Sequence, residues 1–133
     1  MKMTIDLSNQ TAVIFGAGRG IGEMIARQLA YAGAKVYVAD IQQDNCEHVK
    51  QSLIAEGYQA EAATCDVRDI ASIDAVLELA EQETGRLDIV VNNAGIHLQS
   101  VMRKKVLYHR YDDRRDHFLT AVYRCIRLRR NAI

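Results

Sequence analysis

A run of glycines at alternate positions, from Gly16 to Gly22, is the first place in the sequence where spacing indicates chemistry. Glycines allow a tight turn and a close approach of the backbone to a pyrophosphate, whose charge is attracted by the free amides at the start of a following helix. Gly16, Gly20 and Gly22 fit the spacing G-x-x-x-G-x-G, although Ile21 departs from the commoner G-x-G-x-x-G. A turn without a ligand is the alternative, and dinucleotide binding is favoured because an apolar run precedes the loop and a helical pattern follows it.

Two acidic residues follow later apolar runs. Asp40 lies 18 residues beyond Gly22, where a carboxylate can accept hydrogen bonds from both ribose hydroxyls of an adenosine and would repel a 2′-phosphate. NAD is therefore favoured over NADP, although Arg19 in the loop is a cation that could pair with such a phosphate. Asp66 has two open interpretations, because it could accept a hydrogen bond from an adenine amino group or cap the helix after it.

The elements that must position these residues alternate between strand and helix. Apolar runs predict strands at 11–15, 35–39, 59–64 and 87–91, and helical spacing predicts helices at 21–32, 43–56 and 70–84. This alternation predicts an α/β fold with a Rossmann-like doubly wound parallel sheet of about four strands, in the order 3-2-1-4. All the residues named above then lie at the carboxyl ends of strands, where such sheets bind ligands.

Two further expectations concern burial. The first helix carries an apolar stripe predicted to face the sheet, formed by Ile21, Met24, Ile25, Leu29 and Ala32. The fourth strand has no polar alternation, which is typical of a strand covered on both faces, yet the order 3-2-1-4 makes it an edge. An apolar edge strand predicts marginal stability or self-association through that strand.

The segment Asn92-Asn93-Ala94-Gly95 follows the fourth strand in register with the glycine loop. Together with Asp40, these motifs resemble the short-chain dehydrogenase/reductase family over about residues 7–96. The resemblance implies hydride transfer between NAD(P) and an alcohol or carbonyl compound. The resemblance also implies a set of cofactor contacts. The pyrophosphate would be contacted by Gly16, Arg19, Gly20, Ile21 and Gly22, and the adenosine ribose by Asp40 and Ile41. The adenine would be contacted by Asp66 and Val67, and the middle of the cofactor by Asn92, Ala94 and Gly95. Asn92 and Asn93 are expected to tie neighbouring strands together as well.

The catalytic residues that the family uses have no counterpart at the expected positions. Members use a tyrosine, a lysine one helical turn later and a serine, yet no Tyr-x-x-x-Lys follows Gly95. The single match, Tyr31 with Lys35, is interpreted as chance spacing, and Ser100 lies too near the asparagine segment to end a fifth strand. No catalytic residue is therefore predicted. The chain is expected to bind cofactor without transferring hydride unaided. Action on an alcohol or carbonyl substrate would require the half of the family fold that carries the catalytic residues and that this sequence lacks.

The formal net charge of +0 is the sum of two unlike parts. Residues 1–98 hold 7 Lys and Arg against 14 Asp and Glu, a net of −7, whereas residues 99–133 hold 10 against 3, a net of +7. Residues 1–98 are thus predicted to form an NAD(P)-binding domain, and 99–133 a basic tail. Three interpretations of the tail remain open: a non-native sequence from a shifted reading frame or early stop, which is favoured; a helix packed on the fourth strand; and a helix that binds an anionic membrane or nucleic acid, which is disfavoured.

Composition excludes several other classes of protein. A chain that is 49% hydrophobic and 26% charged is neither disordered nor collagen-like. Cys46, Cys65 and Cys125 are odd in number and are expected to be reduced, and no metal site is predicted. No apolar run approaches the roughly 18 residues of a membrane span, and no signal peptide is evident, so a cytoplasmic location is expected. A noncatalytic nucleotide-binding regulator and a basic interaction module on this scaffold are the alternative functions.

Overall fold

Four parallel strands form one sheet in the order β3-β2-β1-β4 in the computed structural model, which describes residues 4–94. The strands are β1 (Thr11–Phe15), β2 (Lys35–Asp40), β3 (Ala60–Thr64) and β4 (Ile89–Asn92), and the helices are α1 (Gly20–Tyr31), α2 (Gln43–Ala55) and α3 (Ile70–Thr84). The predicted Rossmann-like α/β fold and its strand order are confirmed. The predicted tail and Gly95 lie outside the described residues.

β1 is the centre of the sheet, and all five of its residues are buried. Ala12 pairs with Val36 of β2 on one side and with Ile89 of β4 on the other. Successive side chains point to opposite faces of a strand. Ile14 accordingly packs in an apolar layer with α1 and α2, whereas Phe15 packs in a second layer with α3. The two layers hold the carboxyl ends of the strands in fixed positions.

The predicted apolar face of α1 is wrong in part. Ile21 and Met24 are 71% and 65% exposed, whereas Ile25 and Leu29 are partly buried as expected, and Ala32 caps the end of the helix. The fully buried residues of α1 are small ones: Gly22, Ala26 and Ala30. Small residues let this helix lie close to the sheet beside the glycine loop, and the side chains of Ile21 and Met24 are turned away from the sheet.

β4 lies at the edge of the sheet among residues 4–94, and the expectation that both of its faces are covered is correct only in part. Ile89, Val90 and Val91 are only partly buried, because α3 packs mainly over β1. Hydrogen bonds nevertheless fix both ends of β4 to β1. Before the strand, Asp88 exchanges bonds with the backbone of Thr11 at 2.8 and 3.0 Å. Within this part of the chain, no helix is long and apolar enough to cross a membrane.

Candidate functional site

The glycine loop between β1 and α1 needs glycine for more than one reason. Gly16 and Gly20 have φ of +74° and +61°, a left-handed region that favours glycine. A side chain on Gly22 would instead collide with the carbonyl oxygen of Gly16, because the first turn of α1 folds back over the start of the loop. The amides of Gly16 and Ala17 both donate to the Ala39 carbonyl, at 2.8 and 3.1 Å, and fix the loop to the end of β2.

The first turn of α1 presents backbone amides that have no acceptor within the helix. Arg19 precedes the helix in extended conformation, and its side chain makes no capping hydrogen bond. The first backbone bond runs from the Glu23 amide to the Arg19 carbonyl at 3.3 Å, so the amides of residues 20–22 lie before it. A Cβ on Gly20 would meet no atom within 4 Å. Free amides, the positive end of a helix dipole and open space together suit an anionic group.

Asp40 lies against this loop at the end of β2. Its Oδ2 accepts a hydrogen bond from the Gly18 amide at 3.0 Å, and its Oδ1 accepts one from the Gln42 amide at 3.2 Å. A carboxylate has about four acceptor positions, so two remain for hydroxyl groups of a ligand. The structure therefore brings together the loop and the acidic residue that the sequence associates with a ribose.

Two residues of this site were missed by the sequence reasoning. A Cβ on Gly18 would lie 2.9 Å from Asn45 Cβ and 3.0 Å from Asp40 Cγ, so Gly18 lets both side chains approach the loop. Gly18 could have been found, because it belongs to the same glycine run. Asn45 lies in the first turn of α2 and carries no sequence signal of its own.

Asp66 follows β3 and does not cap α3. The N-cap of α3 is Asp69, whose side chain accepts a hydrogen bond from the Ala71 amide at 3.0 Å, so the capping interpretation of Asp66 is wrong. The Asp66 carboxylate instead holds Arg68, at 2.9 Å from Nε and 2.7 Å from Nη2. This hydrogen bond and the carboxylate charge raise the pKa of Arg68. Val67 is partly buried and packs against the α3 layer.

The asparagine segment closes the site from the side of β4. Asn92 is exposed at the end of the strand. Asn93 is tied to β1, because its amide donates to the Phe15 carbonyl at 3.1 Å and its Nδ2 lies 3.5 Å from the Gly16 oxygen. A Cβ on Gly16 would approach the Ala94 backbone within 2.8 Å, which places Ala94 directly against the loop. Asn93 thus makes the expected hydrogen bonds that join the end of β4 to β1 and the loop.

Two large apolar side chains are exposed beside the site. Ile21 at the start of α1 is 71% exposed, and Ile41 after β2 is 52% exposed. Each follows directly on a residue that borders the loop, namely Gly20 and Asp40. A ligand that lay along the carboxyl ends of β1 and β2 could cover part of both side chains.

The chance spacing of Tyr31 and Lys35 falls at the amino-terminal end of β2, opposite the end that meets the glycine loop. Lys35 begins β2, whereas the glycine loop meets the end of that strand. The Lys35 ammonium lies 4.0 Å from carboxylate oxygens of both Glu61 and Glu83, and the Tyr31 ring packs against Tyr58 with 4.9 Å between centroids. Both side chains therefore lie away from the loop.

Comparison with known proteins identifies dehydrogenases as relatives of this chain. A sequence profile of short chain dehydrogenases matches residues 10–130. The 2,3-dihydro-2,3-dihydroxybenzoate dehydrogenase of Bacillus subtilis is 46% identical over 90 residues, which cover 68% of this chain and 34% of that protein. The 7alpha-hydroxysteroid dehydrogenase of Escherichia coli is 43% identical over 89 residues, which cover 67% and 35%. The chain thus spans about a third of the length of these relatives.

Solved structures agree with these sequence relatives. The crystal structure of hydroxysteroid dehydrogenase from Escherichia coli superposes with a TM-score of 0.67 at 41% identity, over 69% of this chain and 38% of that one. The complex of 7 alpha-hydroxysteroid dehydrogenase with NADH and 7-oxo glycochenodeoxycholic acid gives the same TM-score and identity, over 70% and 36%.

Proposed function

Because this chain belongs to the short-chain dehydrogenase family, we propose that its described residues form the NAD-binding part of an oxidoreductase that acts on an alcohol or carbonyl compound. The observation that carries the proposal is the pairing of the Asp40 carboxylate with the Gly18 amide at 3.0 Å, beside the free amides that begin α1. A solved neighbour is a complex with NADH, which supports the same type of cofactor.

The residues present fit a dinucleotide laid across the carboxyl ends of the strands. The loop would hold the pyrophosphate through Gly16, Arg19, Gly20, Ile21 and Gly22. Asp40 and Ile41 would hold the adenosine ribose, Asp66 and Val67 the adenine, and Asn92, Ala94 and Gly95 the middle of the cofactor. When bound, NAD would supply the carbon that accepts or releases hydride. The chain's own contribution is to bind and orient it.

Charge supports the choice of NAD over NADP in this proposal. A 2′-phosphate on the ribose would lie within a few ångströms of the Asp40 carboxylate. Two unit charges of the same sign at 4 Å repel by about 1 kcal/mol in water and by about 4 kcal/mol near a protein surface. The Arg19 cation offsets part of this repulsion, and its exposed side chain is screened by solvent. We therefore expect NADH to bind about tenfold more tightly than NADPH.

Hydride transfer would require residues that this part of the chain does not supply. A proton donor beside the substrate carbonyl is needed, and within residues 4–94 the tyrosine–lysine pair with the required spacing lies at the opposite end of the strands from the glycine loop. Cofactor binding without unaided turnover is accordingly the proposed activity of these residues.

The experiment compares NADH and NADPH binding by nicotinamide fluorescence in the natural chain and in Asp40→Ala. Asp44→Ala is the matched control, because it removes the same charge from an exposed position in the first turn of α2. We expect Asp40→Ala to weaken NADH binding about tenfold and to bring the two affinities close together, whereas Asp44→Ala keeps the natural ratio. Equal affinities in the natural chain, or an unchanged ratio in Asp40→Ala, would contradict the proposal.

A further inference from the structure

The loop after β3 lies next to Asp40 at the carboxyl edge of the sheet. The Cys65 amide donates to the Asp40 carbonyl at 2.9 Å, so the chain enters this loop beside the residue proposed to hold the ribose. The loop is itself held in place, because the Asp66 amide donates to Ser72 Oγ at 3.0 Å and the Asp66 carbonyl accepts a hydrogen bond from the Asp69 amide at 3.0 Å. The Asp66 carboxylate is therefore carried by a fixed turn beside the ribose position.

Three N–H groups of Arg68 point at the Asp66 carboxylate. The Arg68 amide and Nε donate to Oδ1 at 3.0 and 2.9 Å, and Nη2 donates to Oδ2 at 2.7 Å. A carboxylate has about four acceptor positions, so most of them are used. The side chains form a forked pair of charge-assisted hydrogen bonds, which are stronger than hydrogen bonds between neutral groups. A neutral amino group of a base would thus have to compete with a cation for this carboxylate.

Asp40 differs from Asp66 in this respect. Its oxygens accept hydrogen bonds from the backbone amides of Gly18 and Gln42, and among residues 4–94 no lysine or arginine pairs with it. Asp40 therefore keeps acceptor positions for the hydroxyl groups of a ligand, whereas Asp66 keeps few for an amino group. Two acidic residues at neighbouring strand ends thus offer different chemistry to a nucleotide.

Arg68 also adds hydrogen-bond donors at a position where the sequence alone suggests an acceptor. A guanidinium carries five N–H groups. The pair with Asp66 uses one on Nε and one on Nη2, which leaves two on Nη1 and one on Nη2. The Arg68 side chain is 59% exposed, and within the part of the chain that the structure describes its hydrogen bonds go to Asp66 alone. Its remaining donors are accessible to a ligand.

Purine bases differ in the group that they carry at carbon 6. The amino group of adenine donates hydrogen bonds, whereas the oxygen of guanine or hypoxanthine accepts them. Arginine recognises the O6 and N7 atoms of guanine with two parallel N–H groups, whereas a free carboxylate accepts from an amino group and repels an oxygen. The accessible edge of the Asp66–Arg68 pair therefore suits a 6-oxopurine at least as well as adenine.

From these observations we propose that Arg68 is a specificity-determining residue of the base site, which prevents Asp66 from selecting adenine and lets the chain bind dinucleotides that contain a 6-oxopurine. The inference rests on the proposed function, in which Asp66 and Val67 hold the base. Arg68 occupies the acceptor that would favour an amino group, and it supplies donors to an oxygen. Without its guanidinium, the Asp66 carboxylate would favour adenine.

The test compares the binding of NADH with that of reduced nicotinamide hypoxanthine dinucleotide, by nicotinamide fluorescence. The natural chain is expected to bind the hypoxanthine analogue at least as tightly as NADH. Arg68→Ala is expected to prefer NADH about tenfold, because the freed carboxylate accepts from the amino group and repels the oxygen. A tenfold preference for NADH in the natural chain, or an unchanged ratio of affinities in Arg68→Ala, would overturn the proposal.

Arg86→Ala is the matched control. Arg86 forms the same forked pair with Asp88, at 2.8 Å from both Nε and Nη2, and Asp88 in turn accepts a hydrogen bond from the Thr11 amide. This second pair therefore lies at the amino-terminal ends of β1 and β4, away from the proposed base site. We expect Arg86→Ala to keep the natural ratio of affinities. An equal change of the ratio in both variants would contradict a specific role for Arg68.

Reduced nicotinamide mononucleotide, which lacks the base, shows where Arg68 acts. We expect Arg68→Ala to bind it as tightly as the natural chain does. A change in its affinity as large as the change for the dinucleotides would show that Arg68 acts away from the base, against the proposal. If the natural chain bound none of the three nucleotides, the proposed function would fail and this inference with it, whereas binding with a tenfold preference for NADH would contradict this inference alone.

Discussion

Tyr37 shows how the core of this domain changes the acid–base behaviour of single residues. Its ring is fully buried in β2, and its hydroxyl donates to Glu83 at 2.7 Å. Burial, followed by the hydrogen bond to Glu83 and the negative charges of Glu83 and Glu61, raises the pKa of Tyr37 above its ordinary range. Burial likewise raises the pKa of Cys46 to about 11 and raises the pKa of Cys65. The fold therefore holds all three groups in their neutral forms.

A consequence for Tyr37 is loss of stability in alkali. In the unfolded chain a tyrosine loses its proton near pH 10, whereas the folded chain keeps it, so the free energy of unfolding falls by up to about 1.4 kcal/mol per pH unit above that value. Tyr37→Phe is expected to cost about 1 kcal/mol at pH 7 and to reduce the alkaline decline. Urea unfolding between pH 7 and 11 measures both. Tyr31→Phe, on a ring that is 41% exposed, is the control and should keep the natural decline.

The residues of the candidate site were predictable from the sequence where the backbone conformation or the position in the fold requires one residue type. Gly16 and Gly20 were predictable because the loop requires residues with positive φ. Asp40 was predictable because it ends the strand beside that loop. The choice between two uses of Asp66 was not predictable. Asp69 is also acidic and lies closer to the start of α3, and only the structure shows which of the two caps it.

At the scale of elements, the helix that begins at the site is the one whose buried face was misjudged. A stripe of large apolar residues is the usual signal for a buried face. In α1 that signal fails at Ile21 and Met24, because the loop brings the helix so close to the sheet that its fully buried residues are Gly22, Ala26 and Ala30. In α2 and α3, by contrast, large apolar residues such as Val49 and Ile73 are buried.

The close approach of α1 to the loop leads to a prediction about glycine. Gly22→Ala is expected to lower the free energy of unfolding by about 1–3 kcal/mol and to abolish tight NADH binding, because the new methyl group collides with the Gly16 carbonyl and moves the loop. Urea unfolding and NADH fluorescence measure the two effects.

Gly57→Ala is the comparison variant for this prediction. Gly57 has φ of +93° and open space around it after α2, so alanine there is expected to cost about 1–2 kcal/mol of stability without weakening NADH binding. Equal losses of NADH affinity in the two variants would show that general destabilisation, and not the position of the loop, controls binding.

For the whole molecule, the strand order was predictable because alternating strands and helices leave few arrangements of a parallel sheet. The degree of cover on β4 was not, because its apolar sequence, Ile89 to Val91, is that of a central strand while its place in residues 4–94 is an edge. The division of charge at about residue 98 was visible in the sequence from the start.

Because the site is built from loops that follow β1, β2 and β4, cofactor binding should stabilise the whole sheet. A ligand that binds only the folded chain, at a free concentration about 100 times its Kd, adds about 2.7 kcal/mol to the free energy of unfolding. We expect saturating NADH to raise the urea midpoint accordingly, and to raise it less for Asp40→Ala at the same NADH concentration. An unchanged midpoint for the natural chain would show that the nucleotide binds without selecting the folded state.

The pairing of β1 with β4 also bears on how the molecule reaches this state. Ala12 and its partner Ile89 are 77 residues apart in the sequence, whereas β1 and β2 are joined by a single helix. Contacts so distant along the chain form late and slow the search for the native state. During synthesis the glycine loop can emerge long before Asn93 and Ala94, the residues that close its far side. Competence to bind a nucleotide would therefore be acquired only after β4 has been added to the sheet.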